Sequence, residues 1–232
     1  MSAVEVTLLP MGREAVLVEV AGTGEVLALA DALHEQGGRQ DAPTWVRSLA
    51  EVVPAARTLL LRVAEPRDLP AVRAGVVRLA GSLDPASAGR PGSGVPGEGR
   101  GHGAPDAPVV TLPVTYDGAD LADVARLTGL DEQEVVEAHT GSAWRVGFIG
   151  FAPGFAYLVG GDPRLHVPRR ETPRTRVPAG SVGLAGEFGG IYPRPSPGGW
   201  QLIGRTEVTL WDLDRDPPAL LQPGTLVRFE AL

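Results

Sequence analysis

The segment from Trp144 to Thr206 restricts the possible folds of this chain more than any other. Glycine and proline recur every few residues in it, yet short apolar runs survive between them. Glycine supplies the positive φ angles of tight turns and proline fixes φ at corners, so this pattern is typical of a compact, β-rich unit. A disordered Gly/Pro tract would lack aromatic residues able to form a core. The aromatic residues of this segment include Phe148, Phe151, Phe155, Tyr157, Tyr192 and Trp200.

Composition narrows the function classes. The 232 residues, 43% of them hydrophobic, suffice for one large or two small domains with a real core. The net charge of −7 argues against a nucleic-acid or anionic-membrane partner. The absence of cysteine excludes disulfides, thiolate nucleophiles and cysteine metal sites. All 21 basic residues are arginine, which excludes a P-loop lysine, a Schiff-base lysine and a biotinylated lysine.

The first residues of the sequence do not resemble a signal peptide. Residues 1–10 contain no basic n-region. No apolar run approaches the roughly twenty residues that a membrane-spanning helix needs. We therefore expect a cytoplasmic protein.

Residues 1–84 are expected to form an α+β domain. Thr23 and Pro66 lie at the starts of two predicted helices, which have apolar residues at helical spacing. Four apolar runs predict strands, at residues 4–9, 15–20, 46–53 and 58–63. With a final strand supplied from later in the chain, this order is typical of a ferredoxin-like unit.

Residues 85–108 predict a linker or a long mobile loop. They consist mainly of Ala, Gly, Ser and Pro and contain almost no apolar anchor. Such a segment cannot bury enough surface to offset the entropy lost on ordering.

Residues 109–232 form the second predicted domain. It begins with a strand at 109–116, followed by two short helices that Asp120 and Asp131 are expected to cap. Glu134 completes a capping box with Asp131. The helix pair is acidic, so we expect it to pack against the rest of the domain and not to bind DNA. The β-rich remainder is predicted to end with strands at 208–211 and 226–229.

Five motifs of this second domain are long and ordered along the chain. They are Phe151–Leu158, Pro168–Arg170, Val177–Gly183, Ser196–Trp200 and Gly204–Thr206. Together they resemble the KipI family, whose members are also called the 5-oxoprolinase B subunit or allophanate hydrolase subunit 1. The likeness extends from about Val109 to the C-terminus, and more loosely over the first eighty residues. Phe188 and Gly189 stand where the family usually has Gln-Thr, so no role of those two polar side chains carries over.

The resemblance implies a ferredoxin-like N-terminal domain and a cyclophilin-like C-terminal β-barrel. It also implies a protein that is inactive alone and works with a larger homologous partner, the 5-oxoprolinase C subunit or a KipA-like protein. In such systems ATP, with Mg, is the co-substrate that phosphorylates the amide oxygen of 5-oxo-L-proline. A third protein, similar to the 5-oxoprolinase A subunit, then helps to open the ring to glutamate. The lack of a P-loop in this chain fits a composite site.

Four arginines, Arg169, Arg170, Arg174 and Arg176, lie in one loop interrupted by prolines. Guanidinium groups match the geometry of carboxylates and phosphates, and a stiff loop loses less entropy on binding. Spacing alone favours solvated surface arginines. The resemblance instead implies that Arg169, Arg170 and Arg174 bind anionic groups of the substrate or of ATP.

A glycine-rich turn at Gly180 and Ser181 approaches a nucleophile elbow, but no helix follows it. Ser181 is thus a weak candidate for a nucleophile, and the turn is a better candidate for an oxyanion or phosphate site made of backbone N–H groups. The resemblance places Tyr192, Trp200 and Arg205 at the pocket, with Arg205 also a catalytic candidate. Composition alone makes the two aromatic residues equally suited to the core.

Two histidines lie close to the motifs. His139, near the end of a predicted helix, is expected to interact with the helix dipole. His166 is a candidate proton shuttle, although an unspecialised histidine is the more expected interpretation. No histidine or carboxylate motif has the spacing of metal ligands, so we expect no metal site.

Two other roles remain open at this stage. Some members of the resembling family inhibit a sensor histidine kinase. A urea or allophanate carboxyltransferase-type role would require a biotin carrier on another chain. A stand-alone prolyl isomerase is the least expected role, because a fold does not fix a function.

Overall fold

The computed structural model describes residues 3–83 and 108–232. The chain divides into two compact units, Met1–Arg90 and Pro91–Leu232. The predicted linker at 85–108 lies outside the described residues, apart from Pro108.

Within residues 3–83, the first unit contains four strands and three α-helices. In chain order they are β1 (Thr7–Met11), β2 (Ala15–Glu19), α1 (Thr23–Gly37), α2 (Thr44–Arg47), β3 (Leu49–Pro54), β4 (Thr58–Val63) and α3 (Leu69–Ser82). The strands form one antiparallel sheet in the order β1-β2-β4-β3. Strand β4 alternates between buried and half-buried residues, as a sheet with one covered face requires. Apolar residues of α1 and α3 pack with those of β2 and β4 in one core.

Two details of this unit differ from the sequence predictions. Residues 44–47 form a helical turn, and the strand expected from residue 46 begins only at Leu49. The reason is tertiary, because the Trp45 ring occupies the space beside Gly75 of α3, where an added Cβ would lie 2.3 Å from the ring. In addition, β1 fills the sheet edge next to β2, and no strand after β4 in the described part of the chain joins this sheet.

The second unit is rich in strands. Its elements are β5 (Val109–Val114), α4 (Leu121–Thr128), α5 (Glu132–Gly141), β6 (Trp144–Ile149), β7 (Ala156–Val159), β8 (Arg174–Val177), β9 (Ser181–Ala185), β10 (Phe188–Ile191), β11 (Ser196–Gly198), β12 (Gln201–Arg205) and β13 (Leu226–Ala231). Strands β8 and β11 pair separately. The other seven form a sheet in the order β12-β9-β10-β7-β6-β13-β5.

The seven-stranded sheet nearly closes into a barrel. Its edge strands are β12 and β5, and Thr115, directly after β5, forms an antiparallel bridge with Arg205 at the end of β12. The two residues exchange both backbone hydrogen bonds, each at 2.9 Å. Strands β13 and β5 are parallel, and every other pair of neighbouring strands in this sheet is antiparallel. The fold is thus mixed α and β with a barrel-like sheet, as the α+β prediction requires.

Helices α4 and α5 pack against strands β12 and β13 and bury their apolar faces in the barrel core. The predicted capping box is confirmed: the Asp131 side chain accepts from the Glu134 N–H at 2.8 Å, and Glu134 accepts from the Asp131 N–H at 2.9 Å. The prediction for Asp120 is wrong, because its side chain makes no capping hydrogen bond to α4. Its carboxylate is directed elsewhere, as shown below.

His139 of α5 does not act as a charged partner of the helix dipole. Its side chain is fully buried, and its ring lies 4.2 Å from the ring of Phe229. The hydroxyl of Tyr116 hydrogen-bonds its Nδ1 at 2.7 Å. Burial lowers the pKa of His139 to about 3, so the ring is neutral near neutral pH.

The strand predicted at 208–211 is also wrong. Only Trp211 pairs in the manner of a strand, through a single bridge to Ala219. The N–H of Leu220 donates to the Leu210 carbonyl at 2.9 Å, so the segment folds back on the next few residues. It therefore does not extend the sheet.

Candidate functional site

The loop between β6 and β7 displays an aromatic ring on a strained turn. Phe151 has φ 65°, a left-handed value that bulky residues rarely adopt. The N–H of Ala152 donates to the Gly150 carbonyl at 2.7 Å, which makes Phe151 the central residue of a γ-turn with positive φ, a strained form. The residue is 60% exposed. Such strain persists only where the surrounding structure enforces it, and it concentrates at functional sites.

Behind this turn lies a cluster of edge-to-face aromatic rings. Phe155 is at its centre, with its ring centroid 5.3 Å from those of Phe151, Tyr192 and Trp200, and 5.1 Å from that of Tyr157. Edge-to-face pairs at these distances are the favoured arrangement for aromatic rings. Phe155, Tyr192 and Trp200 are buried, so they form a rigid wall.

A small cleft opens over this wall, with a volume of about 90 Å³. It is lined by aromatic rings, a Pro-Gly-Gly turn and one arginine: Phe151, Phe155, Tyr157, Arg169, Tyr192, Pro197, Gly198, Gly199 and Trp200. A Cβ added at Gly198 would lie 2.2 Å from the Tyr192 hydroxyl, so the turn approaches the ring as closely as only glycine allows. Arg169, Tyr192 and Trp200, three of the residues predicted to bind a ligand, therefore meet in one place.

The backbone on both sides of Arg169 is fixed to the chain at the start of β12. The carbonyl of Pro168 accepts from the Gln201 side-chain amide at 3.2 Å. The N–H of Arg170 donates to the Gly199 carbonyl at 2.8 Å. The Arg169 side chain is exposed and has no ion-pair partner within residues 3–83 and 108–232. It is thus a cation held at the mouth of the cleft.

Arg170 and Arg174 have a different role, because both bind the carboxylate of Asp120. One oxygen of Asp120 accepts from the Arg170 guanidinium and, at 2.7 Å, from that of Arg174. The other oxygen accepts from the Leu202 N–H at 2.7 Å. Asp120 is 1% exposed, while the arginine side chains are 30% and 24% exposed.

The environment of Asp120 keeps it ionised. Burial alone would raise the pKa of this carboxyl. The hydrogen bonds from Arg174 and from the Leu202 amide, with the positive charges of Arg174 and Arg170, outweigh burial and hold the pKa below its ordinary value. Asp120 is therefore an anion that the protein itself supplies to the arginine loop.

Two tyrosines of the cleft are neutral near neutral pH. Burial raises the pKa of Tyr157 and of Tyr192, and the charge of Arg169 only partly opposes this effect. For Tyr192, the backbone of Trp200 also partly opposes the rise in pKa. The cleft thus offers phenol groups and one guanidinium.

The turn at Gly180 does not provide the predicted pair of free backbone donors. The Gly180 N–H donates to the Tyr192 carbonyl at 2.8 Å, and that of Ser181 points to the Pro178 carbonyl at 3.4 Å. Gly180 has φ 79°, and an added Cβ would lie 2.2 Å from the Thr206 carbonyl oxygen. The glycine is therefore required for strand packing. In the described part of the chain, no histidine or carboxylate hydrogen-bonds the buried Ser181 hydroxyl.

Three further residues of the predicted region lie away from the cleft lining. His166 is exposed after a short 3-10 turn. Arg205 is paired with Asp117 at 2.9 Å and with Glu207 at 3.0 Å, on the surface. Arg176 is exposed on β8. None of these three side chains lines the cleft, so none is placed there to act in a charge relay or as a proton shuttle.

The departure from the family at Phe188 and Gly189 lies next to the cleft. The Phe188 ring packs edge-on against Tyr157 at 5.6 Å. A Cβ added at Gly189 would lie 3.0 Å from the Trp144 ring. Phe188 thus adds one more ring to the aromatic wall, and Gly189 allows the close approach of the Trp144 ring.

Comparison with known proteins identifies the family. Residues 6–221 match the carboxyltransferase domain, subdomain C and D. This chain belongs to that family.

Relatives of the carboxyltransferase family support the resemblance found in the sequence. The 5-oxoprolinase B subunit of Escherichia coli O157:H7 is 52% identical over 128 residues, which cover 54% of this chain and 59% of the relative. The chain spans a little over half the length of the curated relatives that it matches. These relatives are all named as the B subunit of 5-oxoprolinase, so the resemblance to the KipI family is confirmed.

Two solved structures resemble this chain over almost its whole length. A conserved uncharacterized protein from Pyrococcus horikoshii has a TM-score of 0.52 and 32% identity, covering 97% of each chain. The urea amidolyase of K. lactis has a TM-score of 0.68 but 20% identity. It covers 99% of this chain and only 15% of that protein, and its likeness concerns the fold alone.

Sequence reasoning misses three residues that shape the site in this carboxyltransferase-family domain. Local pattern assigns Asp120 to a helix cap, and it assigns Phe151 and Phe155 only to the core. A phenylalanine between two glycine-containing turns is the one available signal for Phe151. Within the described residues, no three His, Asp or Glu side chains are grouped as metal ligands, and no helix is long and apolar enough to cross a membrane.

Proposed function

We propose that this chain is the B subunit of an ATP-dependent 5-oxoprolinase. It acts in the cytoplasm with a larger homologous partner, which resembles the C subunit, and with a third protein that resembles the A subunit. Together they activate 5-oxo-L-proline by phosphorylation for ring opening to L-glutamate. Relatives that carry this name, at 45–52% identity, support the proposal.

The observation that carries the proposal is the cleft itself. It combines an aromatic wall with a single cation, Arg169, and therefore suits a small ring that bears one carboxylate. Its volume of about 90 Å³ is well below the roughly 300–1,000 Å³ of a complete ligand pocket. A partner protein that completes the walls would explain why a binding surface is present but not enclosed.

The triphosphate of ATP does not fit the residues of this cleft. Polyphosphates are bound by several cationic or backbone N–H donors, often together with Mg²⁺. Here Arg170 and Arg174 are engaged by Asp120, and the Gly180 amide is engaged by Tyr192. In the proposed enzyme this chain binds and orients the ring substrate and excludes water from its aromatic face.

The proposal includes a fold class for each unit. The first unit is ferredoxin-like. Its strand β1 pairs antiparallel with β2 at the sheet edge, and there it occupies the position that the last strand takes in that class. The second unit is a cyclophilin-like barrel, which its nearly closed sheet supports.

The test is a reconstituted reaction. The chain is co-expressed with a C-subunit homologue as the larger partner and combined with an A-subunit homologue, and ATP hydrolysis is measured with and without 5-oxo-L-proline. We expect hydrolysis that depends on the lactam. Arg169→Ala should lower kcat/KM roughly ten- to a hundredfold, because a charge-assisted hydrogen bond contributes about 1.5–3 kcal/mol.

Arg176→Ala is the matched control, since it removes an exposed arginine of the same loop region. It should leave kcat/KM within about twofold, the range of weak surface electrostatics. Hydrolysis that is absent, or indifferent to the lactam, in a well-folded complex would refute the proposed function.

A second candidate is a carboxyltransferase-type role in urea or allophanate metabolism. The family description and the fold of K. lactis urea amidolyase favour it. This chain has no lysine to carry biotin, so the role requires a biotinylated carrier. Activity that depends on biotin, and not on 5-oxo-L-proline, would identify it.

A further inference from the structure

We propose that Asp120 is a positioning residue that makes the cleft selective for one carboxylate on a small ring and prevents it from binding a polyphosphate. This inference deepens the proposed function and rests on it for the choice of ring. It concerns how three neighbouring arginines are divided between a structural role and a binding role.

The first step is the division of charge. Two guanidinium groups, of Arg170 and Arg174, share the single carboxylate of Asp120. Each arginine keeps one nitrogen that is buried and has no hydrogen-bond partner, so a ligand does not reach that nitrogen without movement of the loop. The cluster retains one net positive charge, which favours an anion nearby without touching it. Direct contact is left to Arg169.

The second step is mechanical. Asp120 joins two segments, because one oxygen holds the arginine loop and the other holds the Leu202 N–H of β12. The same loop is joined to Gly199 and Gln201, directly before Leu202. Arg169 lies between these anchors, and Gly199 and Trp200 line the cleft that it faces. A rigid backbone therefore sets the distance between the guanidinium and the aromatic wall, which lowers the entropy lost on binding.

The third step is the ligand class. One guanidinium binds one carboxylate in bidentate fashion. The wall of Phe155, Tyr192 and Trp200 favours a flat or puckered ring over an extended chain. A ring carboxylate satisfies both features, whereas a polyphosphate would need the two cations that Asp120 already occupies.

The test measures ligand affinity by titration of the full chain in complex with its larger partner. The probes are 5-oxo-L-proline, pyrrole-2-carboxylate, the uncharged lactam 2-pyrrolidone and pyrophosphate. We expect the wild type to bind at least one ring carboxylate. We expect 2-pyrrolidone to bind at least tenfold more weakly, and pyrophosphate not to compete. Arg169→Ala should weaken carboxylate binding at least tenfold.

Asp120→Asn is the decisive variant. It retains an acceptor for the Leu202 N–H but releases both arginines. We expect ring-carboxylate affinity to fall at least tenfold and pyrophosphate affinity to rise at least tenfold. A merely structural residue would not reverse this preference. Affinities for both ligands within twofold of the wild type would overturn the proposal, as would wild-type pyrophosphate binding through Arg169.

If Asp120→Asn does not fold, Arg174→Gln tests the contribution of the Asp120 cluster to carboxylate binding. It keeps Asp120 paired with Arg170 and should weaken ring-carboxylate binding at least fivefold with no gain for pyrophosphate. An unchanged carboxylate affinity would again overturn the proposal. Arg176→Ala is the control and should match the wild type with every probe.

The outcomes separate this inference from the proposed function. If pyrrole-2-carboxylate binds through Arg169 and Asp120→Asn reverses the preference, but no lactam-dependent ATP hydrolysis occurs, only the proposed function fails. If hydrolysis depends on 5-oxo-L-proline but Asp120→Asn changes neither affinity, only the inference fails. If neither ring carboxylate binds the wild type, the inference is overturned.

Discussion

Phe151 combines an unfavourable backbone conformation with an exposed apolar ring. A left-handed backbone costs roughly 1–2 kcal/mol for a residue with a Cβ, and glycine avoids this cost. Phe151→Gly should therefore be more stable to urea than Phe151→Ala by about 1 kcal/mol. Both variants remove the ring at the cleft mouth, so they should weaken ring-carboxylate binding to the same extent. Equal stability of the two variants would show that the turn is not strained.

Leu213 is the matched control for that comparison. It is 79% exposed and does not have a positive φ. Glycine there only adds freedom to the unfolded chain, so Leu213→Gly should be no more stable than Leu213→Ala. A glycine advantage at both positions would contradict the strain interpretation.

At the scale of residues, a side-chain contact is predictable from the sequence when its partners are close together along the chain. The capping box of Asp131 and Glu134 is predictable because its partners are three positions apart. The partners of Asp120 are 50, 54 and 82 positions away, so local pattern assigns it to a helix cap. Gly180 likewise indicates a turn, but only tertiary structure shows that its N–H is used by Tyr192.

Among the helices, α5 contains an unusual buried group. His139 is packed between Phe229 and Trp144, and Tyr116 is its only hydrogen-bonding side chain among the described residues. Its Nε2 is buried without a partner. Because no acidic group offsets this burial, protonation of the folded protein is disfavoured down to a pKa of about 3.

This burial predicts acid sensitivity. An unfolded histidine has a pKa of about 6.5, so the unfolded chain binds a proton that the folded chain refuses between about pH 6.5 and 3. The free energy of unfolding should fall by about 2 kcal/mol from pH 7 to pH 5 through His139 alone. His139→Phe should be less stable at pH 7, since Tyr116 loses its partner, but should lack this slope. Urea unfolding at several pH values measures it.

The control for the pH series is the exposed His166. His166→Gln should retain the wild-type slope. A wild-type slope that persists in His139→Phe would place the titrating group elsewhere.

At the scale of elements, alternation and periodicity predict the strands and helices whose partners cover one face. Strand β4 and helix α3 are examples. The strand predictions at residues 46–48 and 208–211 are wrong because they rest on apolar content alone. Next to the first of these segments, the Trp45 ring packs in the space beside Gly75. In the second, residue 211 forms a single bridge with residue 219.

For the molecule as a whole, the cleft depends on closure of one barrel. The bridge between Thr115 and Arg205 joins the edge strands β5 and β12. The Leu202 N–H that holds Asp120 belongs to β12, and Asp120 begins α4. Closure of the sheet therefore brings Asp120 to the arginine loop. The sequence resemblance predicts the barrel but does not predict this contact.

The last prediction concerns the independence of the second unit. Among the described residues, its two apolar cores draw on positions between 110 and 229, while the core of the first unit draws on positions between 4 and 83. A fragment of residues 108–232 should therefore melt cooperatively on its own, since it has the size and the separate core of a domain. Its near-UV circular dichroism should show the bands of packed aromatic side chains, to which Trp144 and Trp200 contribute, and Arg169→Ala should not change the melting temperature by more than a few degrees. Broad melting with binding of a hydrophobic dye would show that the barrel requires residues outside this range.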